Sequence, residues 1–346
     1  MKYIINGRFL TQRITGVQRY AREIVSELDK LCVNKNIEIA VPENVDDIPH
    51  YENIKIVRIG KTNGVKWEQT TFSRYVKKEK GVSVNLCNSA PLTGKKIVTI
   101  HDVKVKAHPE FFGWKFRLWY NFLFRNIVKK AQAIVTVSEF SKSEIIRYYR
   151  CDPKKVHVIY NGWQHYEQIP VEENVLGKFS LSEGQYIFAL GSLDPNKNLK
   201  WILETAKNNP QEKFIVGGGI NKKVFAEQEF ILPKNVQLVG YLSDVESKSL
   251  MHYCKAFVFP SFYEGFGIPP MEAMVAGASN ILVSDIPVMH EIFEESVSYV
   301  CPTTYDYTIK DILERREKDN KEDQFEKTLG KFSWKASAQK LHELIK

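Results

Sequence analysis

Two glutamates with seven residues between them, Glu264 and Glu272, enclose the segment Glu264-Gly-Phe-Gly-Ile-Pro-Pro-Met-Glu272. The first lies in a glycine-containing loop, and the second falls in the first turn of what reads as a helix. Just before them, Ala256-Phe-Val-Phe-Pro-Ser261 reads as a short buried strand. Strand, glycine loop and helix N-terminus in succession present free backbone N–H groups and a positive dipole end to an anion or a sugar hydroxyl. A carboxylate on each side of such a loop can hold a polyhydroxylated, phosphorylated ligand from two directions.

Other loops carry further candidates. Gly191-Ser-Leu-Asp-Pro-Asn-Lys-Asn-Leu199 follows a strand and opens a helix, with Lys197 near the helix N-terminus. A lysine there suits a phosphate or diphosphate; it could equally be a surface lysine in a turn. His101 and Asp102 end the strand Ile97-Val-Thr-Ile100. Histidine moves protons near neutral pH, and aspartate can orient it or accept a substrate hydroxyl; the alternative is a histidine capping the next turn. Gly16 follows the first strand among Arg8, Arg13 and Arg19, where a small residue lets a ligand phosphate approach the backbone, or is simply a loop glycine. Gly217-Gly-Gly219 lacks GxGxxG spacing, which discounts a nicotinamide or flavin, and no GxxxxGK[ST], HExxH or GxSxG occurs. The absence of Asp-x-Asp argues against a carboxylate pair holding a divalent metal on a diphosphate, so no metal is expected.

The elements that must position these residues alternate between strand and helix. Strand-like runs cover Tyr3–Ile5, Ile37–Val41, Ile54–Val57, Val82–Val84, Ile97–Ile100 and Ala133–Val137. Val17 to Leu31 has helical periodicity, with Val17, Tyr20, Ala21, Ile24, Val25 and Leu28 on one face. The pattern restarts at Tyr186–Leu190 and continues through a helix at Leu199–Ala206 and strands at Lys213–Val216 and Val236–Val239. A helix at Ser243–Tyr253 and a strand at Ser279–Val283 complete it. Such alternation predicts mostly parallel sheets covered on both faces, in two similar α/β domains facing across a cleft. The expected boundaries are residues 1–163, a polar linker at 164–182, residues 183–331, and a C-terminal helix from 332 to 346. Ligands of open α/β sheets sit beyond the carboxyl ends of strands, where the loops above lie.

The chain of 346 residues has room for about two domains. No apolar run is long enough to span a bilayer, and the N-terminus becomes polar too soon for a signal peptide. Five scattered cysteines without a CxxC pair suggest neither a zinc site nor a disulfide framework, and a reducing cytoplasm is the simplest setting. Net charge is +8 but uneven: residues 1–163 hold 29 Lys+Arg against 15 Asp+Glu, and residues 164–346 hold 20 against 26. The basic half suits an anionic surface or ligand, with nucleic acid and anionic membrane both admitted by charge alone. Trp114 to Lys130 is aromatic and basic at helical spacing, as in an interfacial helix on anionic lipid or a core helix whose cations snorkel to solvent.

Together these loops resemble the retaining glycosyltransferases of family 4, which have the two-domain GT-B fold, and most closely the bacterial enzymes of O-antigen and capsule synthesis often described as mannosyltransferases. The motifs that carry the likeness are Thr15-Gly-Val-Gln-Arg-Tyr20, Trp67-Glu-Gln69, Val98-Thr-Ile-His-Asp102 with His108-Pro-Glu110, and Thr136-Val-Ser-Glu-Phe-Ser141. Asn161-Gly162, Gly191 to Leu199, Val239-Gly-Tyr241, Glu264 to Glu272 and Phe332-Ser-Trp334 complete them. The last begins a helix that in this family crosses back onto the N-terminal domain. The resemblance implies that Glu264 hydrogen-bonds the donor sugar. The backbone of Gly265, Phe266, Gly267 and Ile268 would hold sugar and phosphate, and Glu272 the ribose. Lys197 would neutralise the diphosphate, with Gly16 closing on it, and Ser192 would stand among the donor-binding residues. Gly240, Tyr241 and Leu242 would contact the base. His101 and Asp102 would lie near the sugar and the acceptor, and Glu264, His101 and Lys197 would be the catalytic residues. Many relatives carry an arginine where this chain has Ser192 or Asn196, so a second cation on the diphosphate is not visible there. The implied reaction is metal-independent transfer of a hexose, GDP-mannose being the first choice of donor, to a glycan or polyprenol-diphosphate-linked acceptor. Front-face attack, with the departing phosphate taking the acceptor proton, is favoured because no residue is an obvious nucleophile. The setting would be cytoplasmic, peripheral on the inner membrane face, with no nucleic-acid module in view. The competing readings are a nucleotide-sugar epimerase and a sugar-nucleotide-binding protein without turnover.

Overall fold

The structure, a computed structural model, describes residues 1–32, 36–191, 194–219, 232–316 and 321–345. The chain divides into two compact units, Met1–Gly162 with Ser333–Lys346, and Trp163–Phe332.

The first unit is built on seven parallel strands: β1 (Tyr3–Asn6), β2 (Ile37–Val41), β3 (Lys55–Arg58), β4 (Val82–Asn85), β5 (Lys96–Thr99), β6 (Ala133–Thr136) and β7 (Val156–Val158). Their order across the sheet is β3-β2-β1-β4-β5-β6-β7. The central strands β1, β2, β4, β5 and β6 are buried almost throughout, as expected where crossover helices cover both faces. The strand β7, three residues long at the sheet edge, escaped the sequence reading because so short a run carries little periodicity. Helix α1 (Gly16–Leu31) buries Tyr20, Ala21, Ile24, Val25 and Leu28, the stripe its spacing predicts; Val17, expected with them, is only half-buried. Helix α2 (Trp114–Lys130) divides along its length. Leu123, Phe124, Ile127 and Val128 enter the core, while Trp114, Phe116, Leu118 and Phe122 stay exposed. Helix α3 (Glu139–Tyr149) follows β6 and is capped by the Ser138 hydroxyl, which accepts from the Ser141 amide.

The second unit has six parallel strands: β8 (Tyr186–Leu190), β9 (Lys213–Gly217), β10 (Val236–Gly240), β11 (Ala256–Phe259), β12 (Ile281–Ser284) and β13 (Ser298–Val300). They run in the order β10-β9-β8-β11-β12-β13. Helices α4 (Leu199–Asn208), α5 (Asp244–His252), α6 (Ile268–Val275) and α7 (Pro287–Phe293) connect them. Trp201, fully buried on α4, packs with Ile187, Phe214 and Val258. The segment 164–182, expected as a linker, instead forms two short helices within this unit, Gln164–Glu167 and Asn174–Phe179. Polar composition misled there: Tyr166 is buried, its hydroxyl 2.8 Å from Ser247 Oγ, and Lys248 Nζ donates to the carbonyls of Tyr166, Glu167 and Ile169. Helix α8 (Trp334–Leu344) returns to the first unit and packs against α1, with Ser337 Oγ donating to the Tyr160 carbonyl at 2.6 Å. No described helix is long and apolar enough to cross a membrane.

Each sheet reverses its strand order once, between β1 and β4 in the first unit and between β8 and β11 in the second. The crevice beyond the carboxyl ends at such a reversal is where open α/β sheets take ligands.

Candidate functional site

At the reversal in the second unit, the loop after β8 meets the loop after β11. Lys197 Nζ donates to Glu264 Oε1 at 2.7 Å, and the two side chains are 23% and 15% exposed. The ammonium also lies 4.7 Å from the centre of the Phe259 ring, so the cation is fixed from two sides. The sequence arranges this locally. Pro195 to Lys197 make a single 3-10 turn ending in Asn198, which adopts φ 55° and accepts the Trp201 amide to start α4. Asn198 Nδ2 then donates to the carbonyls of Pro260 and Pro302, and the Phe262 amide donates to the Asn196 carbonyl. The lysine turn is thereby laced to the chain that carries Glu264. Gly191, Lys197, Phe259, Pro260 and Ser261 line a pocket beside the pair.

The glycines here have specific duties. Gly191 donates to the Gly217 carbonyl, and Gly218 donates to the Gly240 carbonyl at 2.6 Å. A Cβ on Gly218, whose φ is +138°, would fall 1.7 Å from the Gly191 carbonyl oxygen. Gly267 takes φ +107° at the start of α6. Gly265 and Phe266 are buried beside it, with Phe266 edge-to-face on Phe332.

Three expectations for this loop need correction. Glu272 is the fifth residue of α6, in its second turn, because the helix begins at Ile268. Pro269 and Pro270 occupy the second and third positions and have no N–H, so Gly267 and Ile268 supply the donors left at this N-terminus. Leu242 points inward, 7% exposed and packed over Gly217, which leaves the Gly240 backbone and the 57% exposed Tyr241 as the accessible part of that loop. Glu272 Oε1 is 3.0 Å from His165 Nε2, and the histidine side chain is 3% exposed. Sequence reasoning missed His165 because it lies in the segment taken for a linker. Ser192 lies outside the described residues. Asn196 is 3% exposed, with a buried Oδ1 that has no hydrogen-bond partner.

The first unit places His101 and Asp102 after β5. His101 is 6% exposed, and its Nε2 lies 2.9 Å from the Leu86 carbonyl. A carbonyl can only accept, so Nε2 carries the proton and Nδ1 is the acceptor. Burial lowers the pKa of this imidazole, opposed by the Leu86 carbonyl and the Asp102 charge. Burial thus favours the neutral, hydrogen-bonding form of the ring, which sits edge-on to Tyr20. Asp102 Oδ1 accepts the Lys104 amide at 3.0 Å. Gly16 is exposed and opens α1. At the strand reversal of this unit, Glu68 is 1% exposed. It accepts from Asn6 Nδ2 (2.9 Å), Ser89 Oγ (2.8 Å) and Gln69 Nε2 (3.1 Å), and faces Arg8 Nη1 at 3.4 Å. Among the described residues no group of three His, Cys, Asp or Glu side chains is placed to hold a metal ion.

Two parallel α/β units, each with a charged pair at its strand reversal, are matched by family models over most of the chain. Residues 14–164 match the model of Glycosyltransferase Family 4, and residues 173–330 match that of Glycosyl transferases group 1. The chain belongs to this glycosyltransferase family. It is 31% identical over 220 residues to the O-antigen chain mannosyltransferase RfbU of Salmonella typhimurium, covering 62% of this chain and 59% of that protein. It is 24% identical to the O-antigen chain mannosyltransferase B of Escherichia coli, over 92% of each. Among solved structures, the sucrose-phosphate synthase of Thermosynechococcus elongatus shares the fold, with a TM-score of 0.73 at 16% identity over 100% of this chain and 98% of that one.

Proposed function

We propose that the chain transfers a hexose, mannose first, from a nucleoside diphosphate sugar to a glycan or polyprenol-diphosphate-linked acceptor in cell-surface polysaccharide synthesis, with retention of configuration. The Lys197–Glu264 pair at the strand reversal carries this reading. A departing nucleoside diphosphate develops negative charge, and a lysine held on the carboxyl side of β8 can meet it without a metal. Glu264 then exchanges its lysine partner for sugar hydroxyls, and the exposed Tyr241 offers a face to the base. Glu272 takes the ribose, with His165 holding its other side. Attack from the face of the departing phosphate lets that phosphate accept the proton of the acceptor hydroxyl, so no protein nucleophile is required. GDP is the first choice of carrier nucleotide, on the mannosyltransferase names of the relatives. The exposed aromatic and basic start of α2 would rest on anionic lipid, bringing the enzyme to a lipid-linked acceptor at the inner membrane face.

Glu264→Ala tests the site. Transfer should fall by at least a hundredfold while the nucleotide-induced rise in Tm changes little; unchanged transfer, or loss of the nucleotide-induced rise, would overturn the assignment. Thermal shifts with GDP, UDP and dTDP identify the base, since a ligand of the folded state raises Tm. A nucleotide-sugar-binding protein without turnover is the second reading, favoured by the neutral, buried Asn196. It would be the conclusion if GDP raised Tm and no sugar nucleotide supported transfer.

A further inference from the structure

Resting on that reading, we infer that Arg8 forms an oxyanion subsite in the first unit, which grips a phosphate or carboxylate group on the acceptor. Arg8 lies two residues beyond the end of β1, and Asn85 ends β4, so both border the strand reversal of this sheet. The second unit carries its Lys197–Glu264 pair at the equivalent reversal. The first unit has a matching cation and carboxylate, with one difference that matters. Glu68 is already hydrogen-bonded by Asn6, Ser89 and Gln69, so it does not depend on Arg8 for hydrogen bonds. Arg8 contributes charge at 3.4 Å, and its Nη1 is buried with no acceptor of its own. The side chain is 11% exposed, which leaves a narrow opening to a guanidinium with unused donors.

A mostly buried arginine with spare donors, beside a carboxylate that already accepts three hydrogen bonds, is suited to a second, external anion. Its planar fork matches the paired oxygens of phosphate or carboxylate. Asn6, which donates to Glu68, also donates to Asn85 Oδ1 at 3.1 Å, and its own Oδ1 accepts the Arg8 amide, so the turn bearing Arg8 is held rigidly. The same charges are felt at Tyr120. Burial raises the Tyr120 phenol; the Arg8 charge opposes that rise, and Glu68 and Asp102 add to it.

The test measures anion binding and acceptor choice separately. In a Lys197→Ala background, which removes the donor-side cation, sodium pyrophosphate and sodium glucuronate are titrated by calorimetry. The result expected is binding of at least one, weakened tenfold or more by Arg8→Gln. Pyrophosphate preference assigns the anion to a phosphate carrier, and glucuronate preference to an acidic sugar. In the otherwise native enzyme, Arg8→Gln should lower by tenfold or more the ratio of kcat/KM for a phosphate- or uronate-bearing acceptor to that for its neutral alkyl glycoside. If Arg8→Gln fails to fold because Glu68 loses its counter-charge, Arg8→Lys keeps the charge without the fork and should lower the same ratio several-fold. Unchanged anion binding and an unchanged ratio in the folded variant overturn the proposal. Arg8-dependent anion binding in a protein that transfers no sugar would leave the subsite standing and remove the transferase reading instead.

Discussion

Lys197 and Glu264 hold each other at 2.7 Å while both remain partly open to water. A pair so exposed contributes about 1 kcal/mol or less to stability. Glu264→Ala should therefore shift the urea midpoint little, and its loss of transfer reports the site rather than the fold. His101 makes the opposite case. Its folded pKa lies below the ordinary value of 6.5, so the unfolded chain binds more protons as the pH falls through that value. The stability tied to the neutral ring is complete above pH 6.5 and is lost on acidification. His101→Gln should accordingly lose less Tm than the native protein between pH 7.5 and pH 5.5; parallel curves for the two proteins would show that the ring is not held neutral.

The loops after strands work as elements because neighbouring strand ends are tied together. Gly191 is bonded to Gly217, and Gly218 to Gly240, across the ends of β8, β9 and β10. A side chain at Gly218 has nowhere to go between the Gly191 carbonyl and a backbone at φ +138°. Gly218→Ala should cost about 3 kcal/mol or more and abolish the nucleotide-induced rise in Tm, since the lysine loop starts at Gly191. Thermal unfolding with and without GDP checks both. Much at this scale was legible: the face of α1, the positions of most strands and the loop-to-helix succession at Glu264 follow from periodicity and glycine placement. The second-turn position of Glu272 and the missing donors of Pro269 and Pro270 were also available in principle, once the helix start was placed at Ile268. The roles of His165 and Glu68 were not, because each is defined by partners far along the chain: His165 meets Glu272 107 residues on, and Asn6 meets Glu68 across 62.

Across the whole molecule the charge is divided, with residues 1–163 strongly basic and the remainder mildly acidic. The exposed Trp114, Phe116, Leu118 and Phe122 lie on the basic half, beside Lys115 and Arg117. Aromatics that insert at the interface and cations that meet lipid phosphates act together on an anionic bilayer. Replacing Arg117, Arg125, Lys129 and Lys130 with glutamine should reduce co-sedimentation with anionic vesicles several-fold, as should raised salt. Equal binding of the native protein to neutral and anionic vesicles would sink the electrostatic docking. The sequence by itself determined that there are two parallel α/β units, which loops leave the carboxyl ends of their strands, and which family the motifs resemble. These follow from local patterns read over a few residues. Only the tertiary structure decided which loops meet. Lys197 reaches Glu264 across 67 residues because β8 lies beside β11, and Arg8 reaches Glu68 because the chain between β3 and β4 returns over β1. Strand order is set by how crossovers pack on the sheet, and that is a property of the assembled core rather than of any one segment.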